Sequence, residues 1–482
     1  MRNIHHRKFL SASALGGYAL LVHAEDTHVA QSPKHREIGD AIKMLAPESS
    51  QRASSPVEPN MALVNLVCDV LVAGGGMAGV CAAISAARHG AKVILVQDRS
   101  RLGGNASSEI RMHIVGADNH GARPNWREGG LIEAFRLEDA VRNPHRAYEL
   151  WDLLLYDKCI SEPNLTLLLD TSVYSASVKS GKIDSVMARC DKTEHLYQIG
   201  AQVFCDCTGD SRLSLEAGAE YRMGRESINE FGESLAPEVT DSRTQGSSIL
   251  FTARKHDRPM PYRPPKWARK ITRDQLKHRP TSSWDYGYWW IELGGAHHTI
   301  RDNELLRFEL LSVVLGTWDY IKNSGNHPSS ANWALESVGM IPGKRESRRI
   351  MGDVLQTQAM LEDGWKTMND GVAIGGWNFD DHPPEGFDAP EKPPFRSIKL
   401  AEPYNISLGA LYSKNVANLM MAGRNISNSH VAFSSTRVMA TCSAIGQAVG
   451  TAAAQCASRK ITPRQLRNDQ SELSKLQQTL LR

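Results

Sequence analysis

The hydrophobic pattern of the chain is most informative over residues 67–90, where an apolar run gives way to glycines and then to alanines. Residues 67–73 are mostly apolar and β-branched, as is typical of a strand that is buried on both faces. Glycines follow at positions 74, 76 and 79, and the alanine-rich stretch 80–89 ends at Gly90. The pattern therefore predicts a strand, a glycine turn and a helix in that order.

Each of the three glycines has its own expected role, because this order of elements is the context in which Gly-x-Gly-x-x-Gly binds a dinucleotide. Gly74 permits the tight turn, Gly76 lets the backbone approach a pyrophosphate, and Gly79 lets the helix pack closely on the strand. The N–H groups and the positive dipole end of the helix then hold the phosphates. The alternative is a purely structural glycine turn.

The residue after the second predicted strand departs from the usual pattern of such a site. Residues 92–96 predict this strand, and an Asp or Glu about 20 residues after the glycines normally hydrogen-bonds the ribose hydroxyls. By strand register Gln97 occupies that position, and Asp98 follows it. Since glutamine can accept and donate a hydrogen bond, we expect the nucleotide site to be retained.

The next part of the chain has the pattern of strands and a hairpin. Residues 165–173 predict a strand, and residues 174–188 predict a hairpin around a Lys-Ser-Gly-Lys turn. Residues 202–210 predict another strand, which ends in Thr208-Gly209-Asp210.

The middle of the chain interrupts this pattern, and its last section returns to it. Residues 212–400 contain most of the tryptophans and prolines, so we expect an inserted domain there. A strand at 416–422 and a long helix at 438–456, with an N-cap at 434–436, then resume the α/β order.

Composition and charge narrow the possible functions. A chain of 482 residues is long enough for two or three domains. Its net charge of +3, without a basic stripe that carries aromatic residues, predicts no nucleic-acid partner. No apolar run reaches the roughly 18–20 residues that span a bilayer. The sequence contains no Cys-x-x-Cys pair. The adjacent histidines His297 and His298 would point to opposite faces of a predicted strand, so they cannot bind one metal ion together. We therefore expect no metal centre.

The first 24 residues have the pattern of an export signal. Arg2, Arg7 and Lys8 precede a short apolar stretch at 9–22 and a small-residue site at 22–24 that resembles a cleavage site. The order Arg7-Lys8-Phe9-Leu10 is similar to a degenerate twin-arginine motif, so we expect a periplasmic or extracellular protein. The alternative for residues 1–24 is a basic tail. The residues that follow, 25–62, are expected to form a polar linker.

The residues that follow the second strand resemble a known family. Leu102-Gly103-Gly104-Asn105, placed after the strand, glycine turn, helix and strand, is similar to the FAD-dependent oxidoreductases of the glutathione-reductase-like class. Residues 202–210 resemble the strand-Ala-Thr-Gly-Asp element of these flavoproteins, and residues 416–424 resemble their strand-Ala-Gly-Arg element. The middle region also resembles the heterodisulfide-reductase-like group of this family, but the chain lacks the cysteine spacing of that group's iron–sulfur cluster.

The resemblance implies FAD as the cofactor, extended across a parallel sheet. It also implies that Gly103 and Gly104 pass the pyrophosphate, although a structural glycine turn is the alternative, and that Arg99 places positive charge near the phosphates. The residues that we expect at the cofactor are Gly74, Gly76, Gly79, Gln97, Asp98, Arg99, Gly103, Gly104, Asn105, Val173, Thr208, Gly209, Asp210, Gly423, Arg424 and Gly446.

The fold that the resemblance implies is α/β, with a Rossmann-like FAD-binding domain made of a parallel sheet and a β-meander. We expect this domain in residues 63–215 and 401–482, and an inserted α+β substrate domain in residues 216–400. The expected activity is hydride transfer from a small organic, carbohydrate-like substrate to the flavin N5, with an unknown electron acceptor. The alternative is a non-catalytic FAD-binding module whose insert binds a partner or a glycan.

His430 is the first candidate for proton transfer, because the family places this residue near the flavin and its unperturbed pKa is close to neutral pH. Flavin contact and packing are its alternative roles. Arg111 and Arg437 are candidates to orient a polar or anionic group, and Arg111 would share one face of a strand with His113. A solvated face is the alternative for that pair, and the charged run 344–349 is either an ion-paired helix start or an anion site.

Overall fold

The computed structural model describes residues 58, 60–117, 126–364 and 368–481 of the chain. The export signal predicted in residues 1–24, and all but a few residues of the linker predicted in residues 25–62, lie outside the described residues.

The strands are, in chain order, β1 (Ala62–Ala73), β2 (Val93–Val96), β3 (Leu165–Leu168), β4 (Ser172–Lys179), β5 (Lys182–Cys190), β6 (His195–Asp206), β7 (Tyr221–Arg222), β8 (Ser247–Ser248), β9 (Phe251–Lys255), β10 (Glu292–Leu293), β11 (Trp333–Val338), β12 (Gly343–Lys344), β13 (Arg349–Ile350), β14 (Gly371–Gly375), β15 (Phe379–Asp381), β16 (Arg396–Ile398), β17 (Tyr404–Ser407) and β18 (Leu419–Met421).

The helices are α1 (Met77–Arg88), α2 (Leu131–Arg142), α3 (Tyr148–Ile160), α4 (Arg212–Glu216), α5 (Ile228–Phe231), α6 (Asn303–Asn323), α7 (Gln358–Glu362), α8 (His430–Thr436), α9 (Met439–Arg459), α10 (Pro463–Asn468) and α11 (Gln470–Leu480).

The main sheet confirms the predicted Rossmann-like fold. Within the described residues it has seven strands in the order β3-β2-β1-β6-β5-β4, and β18 pairs with β6 beside β5. Strands β1, β2, β3, β6 and β18 are parallel, whereas β4 and β5 form the predicted antiparallel hairpin. The carboxyl ends of the parallel strands therefore meet at one edge, which is where open α/β sheets bind their ligands.

Helices α1 and α9 pack against each other at unusually short range. A Cβ atom at Gly446 would lie 2.1 Å from the carbonyl oxygen of Ala78, and one at Gly450 would lie 2.1 Å from that of Ala82. Gly446 and Gly450 therefore form the surface of α9 that contacts α1.

Two separate buried clusters form the interior of the part of the chain that the structure describes. The larger one surrounds the main sheet and includes Ile350, Leu361 and Val372, which lie within the range 216–400. The smaller one comprises apolar side chains of residues 249–321 together with Phe387. The inserted residues thus have a core of their own, and part of the insert also packs on the first core.

The long carboxy-terminal helix begins differently from the prediction. Residues 434–436, expected as its N-cap, lie inside the short helix α8, whose cap is Ser429 with its side chain bound to the N–H of Ala432. Helix α9 begins after Val438, whose side chain cannot accept a hydrogen bond. The first N–H groups of α9 thus have no side-chain cap.

We expect residues 1–57 to be dispensable for folding. Strand β1 begins at Ala62, and Glu58 forms an ion pair with Arg189 on β5, so a chain that starts at Glu58 keeps both contacts. Its melting temperature is expected within about 2 °C of the full chain, with equal FAD content. A chain that starts at Gly74 lacks β1 and is the control that should not fold. Loss of FAD binding in the Glu58 chain alone would contradict this prediction.

Candidate functional site

A cavity of about 1030 Å³ opens at the carboxyl edge of the main sheet. Most of the residues predicted to contact the cofactor line it, whereas Gly79 and Gly446 do not. Those that line it are Gly74, Gly76, Gln97, Asp98, Arg99, Gly103, Gly104, Asn105, Val173, Thr208, Gly209, Asp210, Gly423 and Arg424.

The three glycines of the first turn differ in conformation and surroundings. Gly74 has φ of +96°, and a Cβ there would lie 2.4 Å from the carbonyl oxygen of Cys207. A Cβ at Gly79 would lie 1.8 Å from the carbonyl oxygen of Gly74, so this glycine permits the close packing of α1. A Cβ at Gly76 would have no neighbour closer than the Cα of Gly104, at 4.0 Å, so Gly76 leaves open space in the cavity.

The second glycine turn lies directly against the first. The N–H of Gly103 donates to the carbonyl oxygen of Gly75 at 2.8 Å, and a Cβ at Gly104 would lie 3.1 Å from the Cα of Gly76. Two stretches of backbone therefore approach the same part of the cavity, which is the arrangement that a pyrophosphate requires.

Gln97 is not placed to bind a ribose, which corrects the sequence prediction. Its side chain is buried, accepts a hydrogen bond from the N–H of Gly75 at 2.7 Å, and donates to the carbonyl oxygen of Arg101 at 3.0 Å. The glutamine thus holds the first turn in place. Asp98 lines the cavity with its side chain 63% exposed, so it is the carboxylate available for ribose hydroxyls.

Asp210 holds the inserted domain to the cofactor-binding domain. Its carboxylate accepts hydrogen bonds from Lys344 at 2.6 Å, Arg424 at 2.8 Å and Ser347 at 2.9 Å. Burial would raise the pKa of Asp210, but Arg424 and Lys344 outweigh it and hold the pKa well below its usual range. Lys344 also lines the cavity, although it belongs to the charged run whose role the sequence left open.

These residues fit a dinucleotide that carries two phosphates. Besides the open cradle at Gly76, the cavity receives the uncapped start of α9 at Val438 and Met439. The Nε atoms of Arg424 and Arg437 are buried and have no hydrogen-bond partner among the described residues. Helix N-termini and guanidinium N–H groups that have no partner both favour anions.

The far end of the cavity contains a charged wall that the sequence did not reveal. His382 lines the cavity, and its Nδ1 lies 2.6 Å from Oε2 of Glu292 while its Nε2 lies 3.3 Å from Oδ2 of Asp380. Arg345 lies 3.4 Å from Glu292, and Arg437 donates to Asp380 at 2.9 Å. We call these five residues the front cluster.

The front cluster favours the charged form of its histidine. Burial alone would lower the pKa of His382, but the carboxylates of Glu292 and Asp380 outweigh burial and the nearby Arg345, and they raise it. With both ring nitrogens beside carboxylates, the imidazolium is the form that the contacts favour. Three cations then face two carboxylates, which leaves this end of the cavity with an excess of positive charge.

Aromatic rings cover the charged wall. Trp289 makes an edge contact with His382, with ring centroids 5.6 Å apart, and another with Phe395 at 5.2 Å. Beside them Asn378 donates to the hydroxyl of Ser397 at 2.6 Å, and all of these side chains line the cavity. The tryptophan-rich insert predicted from the sequence includes this region, but no pattern in the sequence marked His382.

Of the three catalytic candidates, the structure brings only Arg437 to the cavity. Residues 111–116 form no strand, and Arg111 has φ of +63°, so its guanidinium contacts Ser337 at 2.7 Å and Glu149 at 2.8 Å instead. His113 does line the cavity.

His430 lies behind the cavity wall rather than on it, contrary to the sequence expectation. It is 5% exposed, and its Nδ1 and Nε2 lie 3.0 Å from Glu346 and 3.5 Å from Asp381. Its backbone N–H donates to Glu226 at 2.8 Å. Burial would lower the pKa of His430, but Glu346 and Asp381 raise it to about 9.

We expect protonated His430 to stabilise the fold. Since its pKa in the folded protein is above the unfolded value of 6.5, this contribution is complete below about pH 6.5 and disappears as the pH rises through 9. The shift corresponds to about 3 kcal/mol. Urea unfolding at pH 6 and pH 10 should show His430→Gln less stable than wild type mainly at pH 6.

Val186→Ala, a truncation inside β5, is the control for that experiment, because it should lower the free energy of unfolding equally at both pH values. A pH-independent loss in His430→Gln would contradict the assignment of charge to His430.

Metal-binding clusters and membrane-spanning helices are both absent from the described residues. These contain no group of three or more His, Cys, Asp or Glu side chains that could hold a metal ion. None of their helices is long and apolar enough to span a membrane.

Comparison with known proteins identifies the family. The model of the family described as FAD dependent oxidoreductase matches residues 69–480. Among solved structures, the chain is similar to a geranylgeranyl bacteriochlorophyll reductase-like protein from Thermoplasma acidophilum, with 12% identity, a TM-score of 0.34, and 86% of this chain and 84% of that chain covered. It is also similar to the flavin-dependent brominase Bmp2, with 11% identity, a TM-score of 0.39, and 84% and 83% covered.

A third similarity is partial. The match to L-proline dehydrogenase from P. horikoshii has 17% identity and a TM-score of 0.20, and covers 34% of this chain but only 26% of that chain. These structural similarities do not identify a substrate or an electron acceptor.

Proposed function

Since the chain belongs to the FAD dependent oxidoreductase family and is an FAD-dependent enzyme, we propose that it oxidises a small, carbohydrate-like organic substrate. When bound, FAD would supply the two-electron acceptor for this oxidation, with the flavin N5 as the proposed hydride-accepting atom. Gly76, Gly104 and the start of α1 are the groups that would hold its phosphates.

One observation supports this proposal above all: a single cavity joins the two glycine turns to the front cluster. A molecule that lies against the turns and spans the cavity would have its other end next to His382 and Arg437. Burying charged side chains costs free energy, even when each charge is paired. A module that only binds FAD gains nothing from a wall of buried charges that would offset this cost. For this reason a non-catalytic FAD-binding module is the weaker alternative.

The front cluster acts through its charge. Its excess of positive charge is fixed by buried ion pairs before any substrate arrives, and such preorganised groups stabilise negative charge that develops during a reaction. Each ring nitrogen of His382 lies beside a carboxylate, so neither nitrogen is free to act as a base in this state. Arg437 keeps one unpaired Nε atom with which to orient a polar group.

The aromatic side chains support a ring-shaped substrate with hydroxyl groups. Trp289 and Phe395 offer apolar ring faces, and the Asn378–Ser397 pair offers hydrogen-bonding groups beside them. Stacking of an aromatic ring on the apolar face of a sugar, with amide and hydroxyl groups at the edge, is the chemistry that this combination favours.

An anaerobic screen of sugars, polyols and hydroxy acids for bleaching of bound FAD tests the proposal. We expect bleaching by a carbohydrate-like donor, and about tenfold lower kcat/KM in Phe395→Ala. The matched control is Phe308→Ala, because Phe308 is also a partly exposed ring packed against a tryptophan but lies on α6 outside the cavity. FAD that no donor bleaches would contradict the proposal, and an equal loss in both variants would contradict the substrate site.

The pattern of residues 1–24 supports export of the enzyme to the periplasm or beyond. Fusion of these residues to a reporter should export it, and replacing Arg7 and Lys8 with glutamine should abolish export if the signal is of the twin-arginine type. Retention of the unmodified fusion in the cytoplasm would contradict this part of the proposal.

A further inference from the structure

Two segments of the inserted domain each place one residue on the cavity and the next residue behind it. Arg345 and Asp380 line the cavity as members of the front cluster. Their neighbours Glu346 and Asp381 do not line it, and their carboxylates lie beside His430. For Asp380 and Asp381 the cause is the strand β15, in which successive side chains point to opposite faces.

His430 is the link between these two segments. One ring nitrogen contacts Glu346 at 3.0 Å and the other contacts Asp381 at 3.5 Å, so one side chain joins both carboxylates behind the cavity wall. The histidine itself is fixed, because it is the first residue of α8 and its N–H donates to Glu226.

We propose that His430 is a positioning residue for the front cluster: by holding Glu346 and Asp381 from behind, it sets the positions of Arg345 and Asp380. Through Asp380 and Glu292, those two residues in turn hold His382 at the cavity. The proposal extends the proposed function, and it assigns His430 no contact with substrate or cofactor.

The charged groups that face His430 come from several elements packed around it. Glu346 also accepts the N–H of Gln245 at 2.9 Å, and Asp381 also pairs with Arg396 at 3.3 Å, so each carboxylate has a second anchor. Among the described residues, the charged groups that act on His430 include Glu226, Glu233, Glu346 and Asp381, and Arg349 pairs with Glu346 beside them. Only a protonated His430 donates to both linked carboxylates, so we expect the linkage to weaken at high pH.

The test is the reduction potential of bound FAD, measured by equilibration with redox dyes, which requires no substrate. Positive charge at the front cluster favours the reduced, more negative cofactor. We therefore expect a more negative potential in His382→Gln and a smaller shift in the same direction in His430→Gln. In the double variant, the His430 shift should largely disappear, because its effect passes through the front cluster.

Two further variants complete the experiment. Asp381→Asn removes the carboxylate at the other end of the linkage and should shift the reduction potential in the same direction as His430→Gln. This variant also tests the proposal if His430→Gln does not fold. Val186→Ala, inside β5 and outside the cavity, should leave the potential unchanged even though it lowers stability.

Fully additive shifts in the double variant, or an unchanged potential in both His430→Gln and Asp381→Asn, would overturn the proposal. If no donor bleaches the wild-type flavin, the proposed function fails, but the potentials still decide the role of His430.

Discussion

Replacing Gly76 with valine is expected to give a folded protein that does not bind FAD. The side chain would project into the open part of the cavity where the two glycine turns meet. A clash of about 3 kcal/mol or more would weaken FAD binding by roughly two orders of magnitude or more. Absorbance of the purified protein after gel filtration, together with its circular dichroism spectrum, measures both parts of the result.

Gly76 is the right glycine for this experiment, because its backbone has φ of −66° and ψ of 178°, values that valine adopts without strain. Substitution of Gly74 or Gly79 would instead force a Cβ against backbone atoms and damage the fold. Gly129→Val is the control, since a Cβ at that exposed position would meet no atom within 4 Å. Normal FAD content in Gly76→Val would show that the pyrophosphate does not lie at this turn.

Replacing His382 with glutamine is expected to lower the rate of FAD reduction by substrate about 10²–10³-fold, while FAD stays bound. Loss of one preorganised charged group from an active site typically has an effect of this size. The carboxylates around His382 raise its pKa, so the ring keeps its charge to higher pH than a free histidine does. Glutamine removes that charge at every pH, and the glycine turns at the other end of the cavity are untouched.

Single-turnover kinetics under anaerobic conditions measure this rate directly. His327→Gln is the control, because His327 pairs with Thr281 at 3.0 Å in the inserted domain and does not line the cavity. An unchanged rate in His382→Gln would remove the front cluster from the account of the reaction.

Local sequence patterns made the predicted FAD-binding domain recognisable from the sequence. The strand, glycine turn and helix at 67–90 obey short-range rules of periodicity and backbone freedom, and the structure has β1, the turn and α1 in those positions. The error at Gln97 arose because register places a residue at the end of β2 but does not say which partner its side chain finds. That partner, Gly75, lies on the neighbouring loop.

The charged half of the site depends on contacts between distant segments, so the sequence could not reveal it. His382 follows a short strand inside a stretch with the composition of a loop, and its partner Glu292 is 90 residues away along the chain. His430 was expected at the flavin because the family resemblance places it there, just before the long carboxy-terminal helix. An additional helix, α8, carries it behind the wall instead. The adjacent aspartates Asp380 and Asp381 were a local signal in the sequence, because neighbouring residues of a strand place their carboxylates on its two opposite faces.

The absorption spectrum of the purified wild-type protein, recorded after FAD has been supplied and the free cofactor removed, tests the central claim most directly. The account predicts flavin absorption bands that correspond to one FAD per chain and that disappear when a suitable donor is added without oxygen. A correctly folded wild-type protein that shows no flavin absorption after this treatment would contradict it.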